Sequence, residues 1–127
     1  MNFVRWLAGL VAAASLVAAV PVAAQPYPNK PIRIIVPFAP GSGSDILARI
    51  LSEPLSQALG QPIVIDNKPG NNTTVGTEIV ATAPPDGYTL GLLTNSGLAA
   101  SPGGLTSGVR YDPVKDLAPI VTLIHAP

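Results

Sequence analysis

In residues 31–45, the run Pro31-Ile32-Arg33-Ile34-Ile35-Val36-Pro37 is followed by Phe38-Ala39-Pro40-Gly41-Ser42-Gly43-Ser44-Asp45. This segment indicates the fold class of the chain. The β-branched run has almost no polar alternation, and the prolines at its ends cannot donate ladder hydrogen bonds. This pattern predicts a strand that is buried on both faces, as in a parallel sheet. The strand is expected to end in a loop at residues 38–43, where helix and strand breakers are frequent.

A helical pattern follows this loop. Ser44 is a good N-cap, and Asp45 suits the positive end of a helix dipole. Gly60 is the expected stop. Pro54 predicts a kink, because it removes the hydrogen bond to the Ile50 carbonyl. Apolar residues at three- and four-residue spacing predict a stripe that faces the core. The stripe consists of Ile46, Leu47, Ile50, Leu51, Leu55, Ala58 and Leu59.

The pattern of strand and helix then repeats. Residues 61–66 and 88–93 predict a second and a third strand, residues 72–83 predict a helix between them, and residues 119–124 predict a fourth strand. Residues 111–116 are typical of a turn or a short 3₁₀ segment. Two consecutive βαβ units with right-handed crossovers have parallel strands, so the sequence predicts an α/β fold.

The first 24 residues have a different character. Arg5 precedes an apolar run over 6–20, which is followed by Pro21 and the small residues 22–24. This is the order of a secretory signal peptide, with cleavage expected after Ala24 and a mature chain over 25–127. The apolar run of about 15 residues is shorter than the roughly 20 that span a bilayer, although an uncleaved anchor is the alternative.

Composition excludes several function classes. The 127 residues include seven basic and seven acidic side chains, and this neutral balance argues against nucleic-acid binding. The chain has no cysteine and one histidine, His125, so thiol chemistry is excluded and a histidine metal site or catalytic triad is not expected. No dinucleotide, phosphate-loop or nucleophile-elbow motif is present. The sequence therefore predicts no catalytic residue, metal or cofactor.

Two polar loops are the candidate ligand site. In an open parallel sheet, ligands bind beyond the carboxyl ends of the strands, at the point where crossovers diverge to opposite faces. With the strand order 2-1-3, the loops at 38–45 and 94–97 meet at this point. Glycines flank Ser42 ahead of a helix N-terminus, which suits an anion, although a simple capped turn is the alternative. Asp45 either stabilises the helix start or accepts a hydrogen bond from a ligand.

Four segments resemble the substrate-binding proteins of tripartite tricarboxylate transporters, the Bug receptor family. They cover essentially the whole mature chain in the order and spacing of that family. The segments are Tyr27-Pro28-Asn29-Lys30-Pro31-Ile32-Arg33-Ile34-Ile35-Val36-Pro37-Phe38-Ala39-Pro40-Gly41 with Asp45, Leu59-Gly60-Gln61-Pro62-Ile63-Val64-Ile65-Asp66-Asn67-Lys68-Pro69-Gly70, Ala83-Pro84-Pro85-Asp86-Gly87-Tyr88-Thr89-Leu90, and Tyr111-Asp112-Pro113-Val114-Lys115-Asp116.

The resemblance implies a two-lobed periplasmic-binding-protein fold of type 2, the Venus-flytrap architecture. It implies capture of a small carboxylate through backbone amides, hydroxyl groups and bridging waters, followed by delivery to a membrane permease. The implied ligand-binding residues lie in the two loops: Phe38, Ala39, Gly41, Ser42, Gly43, Ser44, Asp45, Thr94, Asn95 and Ser96.

The chain departs from the family pattern in two places. Residues 103–108 replace the usual segment after an Asn-Pro pair, and Pro54 is unusual. Since family members have roughly 300 residues or more, residues 25–127 are expected to be the N-terminal part of the first lobe, with the second lobe and the returning strands absent. The alternatives are a remnant that does not bind and, outside this family, a small secreted α/β hydrolase.

Overall fold

The computed structural model describes residues 26–99 and 108–124. The predicted signal peptide and His125 lie outside the described residues, as does most of the segment that departs from the family pattern. The elements are β1 (Ile32–Val36), α1 (Gly43–Leu59), β2 (Ile63–Asn67), a 3₁₀ turn (Asn71–Thr73), α2 (Thr74–Ala81), β3 (Thr89–Gly91) and the short α3 (Asn95–Leu98).

The three strands form one parallel sheet in the order β2-β1-β3, which confirms the predicted α/β fold and strand order. Ile34 of β1 lies opposite Ile65 of β2 and Leu90 of β3. The central strand is buried on both faces, as the apolar run predicted. The order follows from the two crossovers, because the first moves the chain to one side of β1 and the second returns it to the other.

The two long helices cover opposite faces of β1. Ala48 of α1 packs with Ile34 and Val36 in the core cluster. Gly76 of α2 lies instead against Pro37, which belongs to the other side of the alternating strand. Right-handed crossovers that run in opposite directions require this arrangement, and it makes the carboxyl edge of β1 a switch point.

Helix α1 begins two residues earlier than the cap prediction placed it. The N-cap is Ser42 rather than Ser44, because the Ser42 Oγ accepts a hydrogen bond from the Asp45 amide at 3.3 Å. At the other end, Gly60 adopts the left-handed conformation with φ of 67° and ends the helix as predicted. The helix continues through Pro54, whose side chain is exposed.

The predicted core-facing stripe of α1 is wrong for five of its seven residues. Ala48 is buried, and Leu47 and Leu51 are half-buried. Ile46 and Ile50, however, are 51% and 65% exposed, and Leu55, Ala58 and Leu59 are also exposed. The apolar period of a helix shows which side chains can be buried together, but burial also needs an element on that face, and α1 contacts the sheet along a narrower strip.

The fourth strand predicted at 119–124 is also wrong. These residues form no strand, and Ile120 and Val121 are 78% and 71% exposed. A β-branched run becomes a strand only where a neighbouring strand takes its hydrogen bonds, and none of the described strands pairs with it. The turn predicted at 111–116 is present at 113–115. Within the described residues, no helix combines the length and apolar character needed to cross a bilayer.

Candidate functional site

The loop after β1 ends in the first turn of α1, where Gly43 is exposed and Ser44 is half-buried. Its tight geometry depends on Gly41, which has φ of +82°, and on a hydrogen bond from the Ser42 amide to the Ala39 carbonyl at 3.2 Å. The Asp45 amide is bonded to the Ser42 side chain. The amides of Gly43 and Ser44 have no acceptor among the described residues, as expected for the first turn of a helix. These two amides are therefore available to an anion.

Asp45 holds this loop in place. Its side chain is 3% exposed. Its Oδ2 accepts hydrogen bonds from the Gly41 amide at 2.8 Å and from the Arg49 Nε at 2.9 Å, and its Oδ1 accepts one from the Asn67 Nδ2 at 3.0 Å. The hydrogen bond from Arg49, with those from Gly41 and Asn67, lowers the pKa of Asp45 to about 2. The carboxylate is consequently ionised at neutral pH and engaged within the protein.

This network connects the loop to the neighbouring strand and neutralises its charge. The Asn67 Nδ2, at the end of β2, also donates to the Phe38 carbonyl at 3.0 Å. Arg49 forms an ion pair with Asp45 one helical turn away, so the two opposite charges offset each other. This geometry favours the stabilising role of Asp45 over the ligand-accepting role, since both carboxylate oxygens already have partners.

The loop after β3 leads into the short helix α3. Thr94 is the residue before α3, and its Oγ1 lies 3.0 Å from the Ser96 Oγ. Asn95 is exposed, whereas Thr94 and Ser96 are half-buried. The loop therefore presents an amide side chain and two hydroxyl groups at the carboxyl edge of the sheet.

The structure brings half of the predicted site residues to one open cleft. Gly43 and Ser44 from the first loop border it together with Thr94, Asn95 and Ser96 from the second. The remaining five predicted residues do not line this cleft and lie in the turn that supports it: Phe38, Ala39, Gly41, Ser42 and Asp45. Phe38 packs against the core, and Asp45 is buried.

A third loop reaches the site, which sequence reasoning did not predict. Thr73 follows β2, is buried, and places its Oγ1 3.4 Å from the Ser96 Oγ. Asn71, Asn72 and Thr73 all have positive φ, of 42°, 50° and 72°. Asparagine tolerates this region, but a β-branched threonine there is strained. The run of four polar residues at 71–74 was an available signal, but the sequence pattern assigned most of it to the start of the helix predicted at 72–83.

The family comparison extends over most of the chain. The sequence model described as "Tripartite tricarboxylate transporter family receptor" matches residues 47–127. The chain belongs to this family. The family is one of receptors rather than enzymes, which argues against the hydrolase alternative, and the parallel sheet matches an α/β lobe of periplasmic binding proteins.

Two curated relatives come from Bordetella. The chain is 44% identical over 119 residues to a UPF0065 protein of Bordetella bronchiseptica, covering 93% of this chain and 35% of the relative. It is 41% identical over 122 residues to "Protein BugT" of Bordetella pertussis, covering 94% and 37% respectively. The chain thus spans a little over a third of the length of these relatives.

Solved structures agree with this assignment. A structure described as "Structure of a periplasmic transporter" has a TM-score of 0.65 and 48% identity, covering 71% of this chain and 30% of that one. "R. palustris Rpa4515 with adipate" has a TM-score of 0.61 and 34% identity, with coverage of 70% and 29%. "MatC (Rpa3494) from Rhodopseudomonas palustris with bound malate" has a TM-score of 0.55 and 30% identity, with coverage of 71% and 30%.

Proposed function

We propose that residues 25–127 form the N-terminal part of lobe 1 of a two-lobed periplasmic receptor for a small carboxylate. The observation that carries this proposal is one open cleft that is bordered both by Gly43 and Ser44, whose amides have no acceptor among the described residues, and by the polar residues Thr94–Ser96. These groups donate hydrogen bonds without carrying a net charge. Adipate and malate, bound in two solved relatives, are small dicarboxylates.

The electrostatics of the cleft support recognition by dipoles rather than by a cationic side chain. Arg49, the cation nearest the first loop along α1, is paired with Asp45, and Lys115, which borders the cleft, is paired with Asp112 at 3.2 Å. The amides at the start of α1 add the positive end of a helix dipole. A carboxylate can therefore bind these donors without breaking the ion pair that holds the loop.

This half of the site binds weakly by itself. Three or four charge-assisted hydrogen bonds contribute about 1.5–3 kcal/mol each. Association costs at least about 4 kcal/mol, whereas a micromolar dissociation constant needs about 8 kcal/mol net. We expect millimolar affinity from the described residues. The opposite lobe of the receptor would supply the remaining contacts and close on the solute.

Export and delivery belong to the same proposal. Residues 1–24 act as a signal peptide that is cleaved after Ala24, which takes the chain to the periplasm. The closed receptor then passes its solute to the membrane permease of a tripartite tricarboxylate transporter. Members of this family are receptors of such transporters, and this supports the proposed partner.

An NMR titration tests the proposed site at the affinity expected. Uniformly ¹⁵N-labelled protein is titrated with malate and adipate to tens of millimolar, with the corresponding diamides as uncharged controls. The amide resonances of Gly43, Ser44 and residues 94–96 should move with the diacids and not with the diamides. Equal shifts with diacids and diamides, or none at these positions, would favour the remnant that does not bind.

A pair of variants distinguishes the loss of a ligand contact in the cleft from the general effect of removing a hydroxyl group. Thr94→Val removes a hydroxyl group that borders the cleft. Thr82→Val removes a hydroxyl group that donates to the Glu78 carbonyl at the exposed end of α2. The first change should weaken the response to malate or adipate, and the second should leave it unchanged. A reversed order would contradict the proposed site.

A further inference from the structure

Tyr111 is buried against the second loop. The residue is 1% exposed, and its hydroxyl donates a hydrogen bond to the Gly97 carbonyl at 2.7 Å. Gly97 directly follows Ser96, which borders the cleft. Burial raises the pKa of Tyr111 above its usual value, so the hydroxyl remains a donor at neutral pH. The polar residues of this loop are thus held from behind by a residue 14 positions further along the chain.

Gly97 is packed closely against Thr77 and Thr73, with no space for a side chain. A Cβ atom at this position would lie 2.4 Å from the Thr77 Oγ1 and 2.9 Å from the Thr73 Oγ1. Thr77 is fully buried, and its hydroxyl donates to the Thr73 carbonyl at 2.9 Å. The backbone at Gly97 is therefore held both by its close contact with α2 and by the hydroxyl of Tyr111, which also lies beside Thr77.

Tyr111 is itself fixed by the turn that follows it. The Asp112 Oδ1 accepts hydrogen bonds from the amides of Val114 and Lys115 at 3.0 and 3.3 Å. The Asp112 amide donates to the Asp116 Oδ2 at 2.7 Å. These bonds make residues 112–116 a closed turn. The segment Tyr-Asp-Pro-Val-Lys-Asp, which the sequence indicated only as a turn, therefore carries Tyr111 in a defined position.

We infer that Tyr111 is a positioning residue for ligand binding: by holding Gly97 against α2, it sets the orientation of Thr94, Asn95 and Ser96 in the cleft. The inference rests on the proposed function of that loop. The side chain of Tyr111 does not border the cleft, so its effect on a ligand passes through the loop backbone. The Thr73 hydroxyl supports Ser96 from the same side.

Tyr111→Phe tests the inference, with Tyr27→Phe as the matched control. Both changes remove a hydroxyl that donates to a backbone carbonyl, since the Tyr27 hydroxyl donates to the Gly87 carbonyl at 2.9 Å. Tyr27 precedes β1 and lies at the opposite edge of the sheet. In the full chain without ligand, Tyr111→Phe should shift the amide resonances of residues 94–96, and Tyr27→Phe should not. Because the loop must then be ordered on binding, Tyr111→Phe should weaken the binding of malate or adipate, by at most about ten-fold for the loss of one hydrogen bond.

The outcomes separate this inference from the proposed function. Unchanged resonances at 94–96 in Tyr111→Phe, or unchanged affinity for a diacid that the wild type binds, would overturn the inference. If the wild type binds neither diacid, the proposed function is overturned. If Tyr111→Phe still shifts the resonances at 94–96 in that case, the effect of Tyr111 on the loop is established.

A second variant tests the same contact from the other side if Tyr111→Phe does not fold. Gly97→Ala places a methyl group against Thr77 and should displace α3 and shift the same resonances. If the resonances at 94–96 keep their wild-type positions in this variant, the confinement of the loop at Gly97 is refuted.

Discussion

Replacing Gly76 by alanine should destabilise the chain, because α2 passes the end of β1 at this position without space for a side chain. A Cβ atom would lie 2.7 Å from the Pro37 Cβ, 3.0 Å from the Pro37 Cα and 3.1 Å from the Lys68 carbonyl oxygen. Carbon atoms in contact are normally about 3.5–4.0 Å apart, so α2 must move away from β1 by roughly 1 Å. The backbone atoms among these neighbours cannot rotate away.

The expected loss of stability follows from two opposing effects. Overpacking of this kind costs about 1–3 kcal/mol, and the rigid neighbours place Gly76→Ala near the upper end. Alanine also favours a helix over glycine by about 0.8–1.0 kcal/mol. The difference leaves a net destabilisation of about 2 kcal/mol. With a urea m-value of about 1–3 kcal/mol per molar, the midpoint of unfolding should fall by roughly 0.7–2 M.

Urea unfolding followed by far-ultraviolet circular dichroism measures this change, with Gly43→Ala as the matched control. Gly43 is also helical, but a Cβ atom there meets nothing within 4 Å. Its replacement should leave the midpoint unchanged or raise it slightly. A midpoint for Gly76→Ala equal to or above that of the wild type would refute the close packing of α2 against β1.

Two further predictions concern the start of α1. Ser42→Ala removes the N-cap and should cost about 1 kcal/mol in urea unfolding, whereas Ser44→Ala should change stability by less than about 0.5 kcal/mol; equal losses would contradict the cap assignment. The pKa of Asp45 is lowered to about 2 from an ordinary value of 3.8. A lowered pKa in the folded state stabilises the protein above the unfolded value, and this contribution disappears as the pH falls through the folded value. The stability difference between wild type and Asp45→Asn, measured by urea unfolding at several pH values, should therefore shrink between pH 5 and pH 2, and a constant difference would count against the network. The variant is needed because the pKa values of Asp66, Asp86 and Asp112 are lowered as well.

Local sequence patterns predicted the central strand and the end of α1, because both depend on the conformational preferences of neighbouring residues. The uninterrupted β-branched run at 32–36 can be buried on both faces, and it became the central strand. Gly60 is the residue type that adopts a left-handed C-cap without strain, and it ends α1. With the strand order 2-1-3, the handedness of the crossovers then places the two helices on opposite faces, which needs no knowledge of particular side-chain contacts.

The candidate site was predictable in part for the same reason. Strand order alone brings the loops after β1 and β3 to one edge, and Gly43, Ser44 and residues 94–96 do border a common cleft. The sequence did not predict that hydrogen bonds to Asp45 hold the loop after β1, because the donors Asn67 and Arg49 lie on a different strand and on the next helical turn. Such contacts depend on packing distances that no local pattern records.

The sequence by itself determined where strands and helices can form, and it carried the resemblance that the family match confirms. Only the tertiary structure decided which apolar surfaces are covered, because burial requires a second element. Residues 119–124 have the composition of a strand but no strand partner among the described elements, and Ile46 and Ile50 belong to an apolar stripe but remain exposed. The contacts of Ser96 with Thr73 and of Gly97 with Tyr111 likewise exist only because the fold brings distant loops together.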